Sequence, residues 1–190
     1  MPERPVPPLV RWQPPGPRRH VRTRRWLVAI AAGLALTGFA AALEFVVRPV
    51  PRLIWNPSAS APVGLWRITP GEPVRVGDMV LAETPERVRR LAAERGYLPL
   101  NVPLLKRVAA STGDLVCAAG PDMTVNGRTL ALRLSHDRGG RPLPWWRGCR
   151  ALAEGEVLLL MDAPESFDGR YFGPVPASSI IGRAWPIWTR

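Results

Sequence analysis

The 190-residue sequence predicts a mainly β protein, with one N-terminal transmembrane helix followed by an antiparallel β-rich domain. Three observations carry that prediction. Trp26 to Leu43 runs without a single charge. The chain holds 23 prolines and 17 glycines, which excludes long helices elsewhere. Short apolar runs broken by Gly, Pro, Asn and Asp recur through the second half. With 46% apolar residues, the chain can bury a core, so disorder throughout is excluded.

Residues 1–25 form a basic, Pro/Arg-rich cytoplasmic tail. Seven arginines against Glu3 give this stretch +6 of the total +11. Such a composition cannot bury a core and is expected to be extended or disordered. A nucleic-acid-binding domain would spread its basic charge over a folded face, so nucleic acid is not the expected partner.

Residues 26–47 read WLVAIAAGLALTGFAAALEFVV. A helix over that stretch rises ~33 Å, about the thickness of a bilayer core. Trp26 and Trp55 bracket it as interfacial aromatics do. The arginines before it stay in the cytoplasm, which puts the C-terminal part outside and makes membrane lipid a partner. Two rivals stand beside this anchor. One is a cleaved signal peptide with an A-x-A-like site at Ala40-Ala41-Ala42. The other is a buried core helix. Continuation of the run to Phe45-Val46-Val47 favours the retained anchor, and the arginine block disfavours a core helix.

Residues 48–190 form the remaining domain. Two prolines, Pro49 and Pro51, stop the helix. A polar loop, Asn56 to Pro62, leads into a strand at Val63–Ile68, and Asp78–Ala82 reads as another. Thr84 as N-cap and Pro85 at the first helical position open a helix that stops at Glu94-Arg95-Gly96. Leu104–Ser111, Gly155–Met161 and Ile180–Trp185 read as strands. Asn126-Gly127 centres a type I′ hairpin over Thr124–Leu130.

Lys106 is the single lysine among 26 basic residues. Strand alternation puts Leu104, Lys106 and Val108 on one face. Desolvation on an apolar face lowers a lysine's pKa and lets it act as a general base; a lysine that snorkels to the sheet edge is the structural alternative. Arg107 never gives up its proton and cannot substitute. Ser60 lies in a loop stiffened by Pro57 and Pro62, as a fixed nucleophilic hydroxyl requires. Ser58 is placed to help bind an oxyanion alongside a backbone N–H. A polar linker after the helix explains the same serines. Asp168 or Ser166 would orient the Lys106 ammonium, although Asp168-Gly169 is also a plain turn signal. His136 lacks the pattern of a Ser-His-Asp triad, and no phosphate-binding loop is present. Cys117 and Cys149 would form one disulfide outside the cytoplasm, worth ~3–5 kcal/mol, or remain reduced in the core. Trp145, Trp146, Trp185 and Trp188 suit a membrane surface or a core equally.

In this order, these pieces resemble type I signal peptidases, and most closely the TraF-type peptidases of conjugative transfer. The matching segments are Ser60-Ala61-Pro62-Val63-Gly64-Leu65-Trp66, Leu105-Lys106-Arg107-Val108 with Thr112-Gly113-Asp114, and Ser166-Phe167-Asp168-Gly169-Arg170-Tyr171-Phe172-Gly173-Pro174-Val175. The cysteine pair and Gly139-Gly140-Arg141-Pro142-Leu143-Pro144 also fit that branch. The resemblance implies a signal-peptidase-like periplasmic catalytic domain on an inner-membrane anchor. It implies Ser60 as nucleophile and Lys106 as general base. Ser58 and the Ser60 N–H would be the oxyanion donors, Asp168 the acidic residue the branch needs, and Ser166 the serine that positions the lysine. No metal or organic cofactor is implied. The substrate would be a membrane-tethered, pilin-like precursor, cleaved after a small residue or cyclised. A non-catalytic component of a secretion or conjugation apparatus is the alternative function, and a DNA-binding membrane protein or a soluble repressor-type autoprotease stand further off.

Overall fold

A computed structural model describes residues 20–46 and 50–190. Most of the basic tail, and Val47 to Pro49 of the expected anchor and its boundary, lie outside the described residues. Helix α1 spans His20–Val46. It therefore starts before Trp26, and the last part of the expected extended tail is helical instead. No proline follows Pro17 in that stretch, and arginine is a good helix former. Arg24–Ala42 is long and apolar enough to cross a membrane by length and composition, and its side chains are exposed.

Val50–Arg190 forms a second compact unit. Its elements in order are β1 (Leu53–Asn56), β2 (Gly64–Thr69), β3 (Met79–Ala82), α2 (Glu86–Glu94), β4 (Leu104–Ala110), β5 (Leu115–Ala119), β6 (Asp122–Val125), β7 (Arg128–Leu132), β8 (Gly148–Ala151), β9 (Glu156–Leu160), α3 (Gly169–Phe172), β10 (Val175–Pro176) and β11 (Ile180–Thr189). Seven strands make one sheet in the order β1-β2-β11-β3-β4-β9-β10, and four make another in the order β7-β6-β5-β8. All strand pairs are antiparallel, as the sequence predicts.

The predicted strands appear with their ends moved by a residue or two, β11 running on to Thr189. The hairpin of β6 and β7 turns at Asn126 and Gly127, with φ of 49° and 79°, as a type I′ turn requires. The start of α2 differs from expectation. Pro85 is the N-cap, and among the described residues no side chain caps the start of the helix. The Thr84 hydroxyl instead donates to the Val102 carbonyl at 3.1 Å, tying the helix entry to the approach to β4. β1, β5, β8 and β10 are not among the predicted strands, because each is short, with five residues or fewer, and lacks a clear apolar–polar alternation.

The large sheet buries both faces. On one, Val80, Leu104, Val108 and Leu159 pack with Phe167, Tyr171 and Phe172 and with Val88 and Ala92 of α2. On the other, Leu81 and Leu105 pack with Ala61, Trp66, Ile68 and Met161. The small sheet lays Val116, Ala118, Met123 and Val125 over Leu158 and Leu160 of β9. β4 is thus covered on both sides, which buries a polar side chain on it. Trp145 and Trp146 are half-buried against these clusters. Trp188 stays about half exposed and stacks on Trp55 at 5.9 Å. Gly64 allows β11 to approach β2: a Cβ there would stand 2.0 Å from the Trp188 carbonyl oxygen.

Candidate active site

Lys106 lies in the middle of β4 opposite Val80, flanked by Leu104 and Val108 as the alternation predicts. It is 3% exposed. Its Nζ reaches two hydroxyls, Ser60 Oγ at 3.0 Å and Ser166 Oγ at 3.0 Å. Burial pushes the Lys106 ammonium down to about 8; the Asp168 carboxylate opposes that shift and the Arg170 guanidinium adds to it. At pH 7 roughly a tenth of the lysine is then neutral, against well under a thousandth for an exposed one.

Ser60 projects from the loop between β1 and β2 and is half-buried. Ser58 Oγ lies 3.0 Å from Ser60 Oγ and accepts a longer hydrogen bond, 3.3 Å, from the Ser60 N–H. The hydroxyls and the amine form one chain, Ser58–Ser60–Lys106–Ser166. A groove of about 330 Å³ opens beside Ser60. Ala59, Ala61, Ala163 and Met161 contribute to its walls, and the Arg107–Asp162 ion pair, at 2.8 Å, contributes charge to its lining.

Asp168 does not join that chain: among the described residues, its carboxylate makes no hydrogen bond to Lys106. It is fully buried and caps the short α3, accepting from the Arg170 N–H at 3.1 Å. It also accepts from the Met161 N–H at 3.0 Å and from the Arg170 guanidinium at 2.8 and 3.1 Å. Arg170, itself 1% exposed, spends its remaining donors on the carbonyls of Met161 at 2.5 Å, Pro164 at 3.0 Å and Leu132 at 3.2 Å. Every guanidinium nitrogen is paired, which makes a buried arginine tolerable. The pair pins the Met161–Arg170 segment that carries Ser166, so Asp168 acts on the lysine by charge and through the loop. The sequence assigns Arg170 no role beyond its place in the matched segment, because its burial depends on the distant carbonyls and the carboxylate that receive its donors. Trp146, which the sequence leaves open between a membrane surface and the core, donates its indole N–H to the Gly169 carbonyl at 3.0 Å.

Cys117 and Cys149 face each other across β5 and β8 on the small sheet, with sulfurs 2.09 Å apart. They are not part of the hydroxyl–amine chain. His136 is exposed, and among the described residues its ring bonds only the hydroxyl of its neighbour Ser135.

Comparison with known proteins matches residues 23–189 to the family described as signal peptidase, peptidase S26. Over 176 residues the chain is 38% identical to the plasmid transfer protein TraF of Escherichia coli, covering 87% of this chain and 98% of that one. It is 37% identical over 147 residues to a probable conjugal transfer protein TraF of Sinorhizobium fredii, covering 70% and 76%. It is 32% identical over 116 residues to a probable thylakoidal processing peptidase of Arabidopsis thaliana, covering 58% and 29%.

Proposed function

We propose, on the premise that the chain belongs to the signal peptidase S26 family, that it is a membrane-anchored serine endopeptidase working through a Ser60–Lys106 dyad. One observation carries this reading: a buried amine with a lowered pKa stands 3.0 Å from a loop hydroxyl at the edge of a groove. In the neutral state Lys106 donates to Ser166 and turns its lone pair to the Ser60 O–H. Ser60 Oγ attacks the carbonyl of the scissile bond and its proton passes to Nζ, which then gives it to the leaving amine. The Ser60 N–H and the Ser58 hydroxyl stabilise the oxyanion. In the resting site these two donors face one another at 3.3 Å. The incoming carbonyl oxygen takes both, and the Ser58 hydroxyl rotates to meet it.

The alanines lining the groove fit a small residue on the acyl side. Water, or the precursor's own amino terminus, resolves the acyl-enzyme. The second route releases a cyclic chain. Relatives described as conjugal and plasmid transfer proteins support a substrate in that apparatus, a membrane-tethered, pilin-like precursor. The helix Arg24–Ala42 with arginines at its start supports a single-pass anchor with the domain outside the cytoplasm. An oxidised Cys117–Cys149 pair fits that compartment. An anchored enzyme also meets a tethered substrate at high effective concentration.

The test is co-expression of a pilin-like precursor with the wild type, Ser60→Ala or Lys106→Ala, read by intact mass. The reading predicts shortening by the wild type alone, with a further loss of one water if the product is cyclic. Shortening by all three proteins would remove Ser60 and Lys106 from the chemistry.

A further inference from the structure

Asn56 is a buried amide that the proposed chemistry leaves without a part. It ends β1, pairs with Gly64 across the base of the loop that carries Ser60, and is 8% exposed. Its Nδ2 lies 2.9 Å from the Ser58 carbonyl oxygen, 3.1 Å from that of Ala61 and 3.0 Å from that of Pro62. Its Oδ1 accepts the Ser58 N–H at 3.2 Å. The orientation is fixed by chemistry, because an oxygen in the Nδ2 position would face three carbonyl oxygens. Among the described residues, the only other side chain donating to this loop's backbone is Trp66, whose indole N–H meets the Pro62 carbonyl at 3.2 Å. The carbonyls of three loop residues therefore converge on one amide. The Ser60 hydroxyl, from the same loop, is left to meet Lys106.

We propose that Asn56 is the positioning residue that holds Ser60 Oγ at reacting distance from Lys106 Nζ. The proposal rests on the Ser60–Lys106 reading. Loop atoms lack the rigidity of a sheet, and a displacement of ~1 Å at a reacting centre can cost on the order of 100-fold in rate. Supplying the donors from the last residue of a strand ties the loop to the same sheet that carries Lys106.

The experiment uses the full chain in detergent and a fluorogenic peptide with alanine on the acyl side of the scissile bond. Wild type, Ser60→Ala, Asn56→Asp and Asn56→Ala are compared across pH, with rates normalised to folded enzyme. In Asn56→Asp, burial among carbonyls raises the pKa of the new carboxyl group. Once ionised it loses its donor and repels the three carbonyls. The expected profile is a bell that falls at high pH, where the wild type rises to a plateau. With rates normalised to folded enzyme, a simple loss of folded protein leaves both amplitude and shape alone, so a profile that matches the wild type overturns the proposal. If Asn56→Asp does not fold, Asn56→Ala decides. A kcat lower by on the order of 100-fold at unchanged KM supports positioning, and a kcat within threefold of wild type overturns it. Cleavage retained by Ser60→Ala would sink the dyad reading itself. Cleavage lost in Ser60→Ala beside unchanged Asn56 variants would sink only the positioning role.

Discussion

Replacing Lys106 by methionine tests how far burial has shifted its titration. The folded protein holds this amine at about 8 instead of 10.5. Between those values the unfolded chain binds more protons than the folded one, so stability rises with pH across that window. At about 1.4 kcal/mol per pH unit, the gap amounts to about 3 kcal/mol. Below pH 8 the folded protein carries the whole cost of the buried ammonium, and above 10.5 it carries none. Methionine has similar length and no charge. It gives up the hydrogen bonds to Ser60 and Ser166, worth about 1 kcal/mol each and independent of pH to first order. Lys106→Met should therefore be more stable than wild type by about 1 kcal/mol at pH 7 and less stable by about 2 kcal/mol at pH 10.5. Urea unfolding of the full chain in detergent, followed by tryptophan fluorescence, reads the difference between the two proteins. Tyr97 and Tyr171, whose hydroxyls burial pushes up, titrate alike in both and cancel. A difference that stays constant from pH 7 to 10.5 would refute the reasoning, because it would mean that Lys106 titrates as an exposed amine.

Two further outcomes follow from the packing. Asp168→Asn leaves Arg170 buried without its counter-ion and should cost about 3–5 kcal/mol in unfolding free energy, while moving the pH–rate profile to lower pH through loss of the charge that favours the ammonium. A profile shifted upward would contradict that sign. Replacing both Cys117 and Cys149 by serine opens a link of sequence separation 32 and should lower stability by about 3–4 kcal/mol in the chain-entropy model, with kcat unchanged where the protein is folded; a lower kcat at full folding would place the pair in the catalytic machinery.

The residue types and their order made much of the site legible. Period-two alternation between Leu104 and Val108 places Lys106 on the face where it lies, but a buried amine and one that snorkels to the sheet edge share that pattern, and only the resemblance to signal peptidases favours the buried base. The loop between Pro57 and Pro62 marks Ser58 and Ser60 as candidates that a polar linker would explain as well, and the resemblance assigns their roles. What the sequence hid depends on contacts between distant segments. Asn56 before a proline reads as a turn residue, and only the closed loop shows three carbonyls meeting its amide. Asp168 before glycine reads as a turn, yet its carboxylate is the N-cap of α3 and the partner of Arg170. β1, β5 and β8 are short and weakly alternating, so their pairing is set by neighbouring strands and not by local preference. Thr84 shows the same override, since its hydroxyl serves Val102 in place of the helix it precedes.

The central claim is that a buried Lys106 acts as the base for Ser60, and the pH dependence of kcat/KM on a cleavable precursor tests it most directly. The account predicts a rate that rises with pH and levels off above an apparent pKa of about 8, with Lys106→Arg inactive at every pH because guanidinium keeps its proton. A rate that continues to climb through pH ~10 would mean an unperturbed amine, and activity retained by Lys106→Arg would remove the lysine from the mechanism altogether.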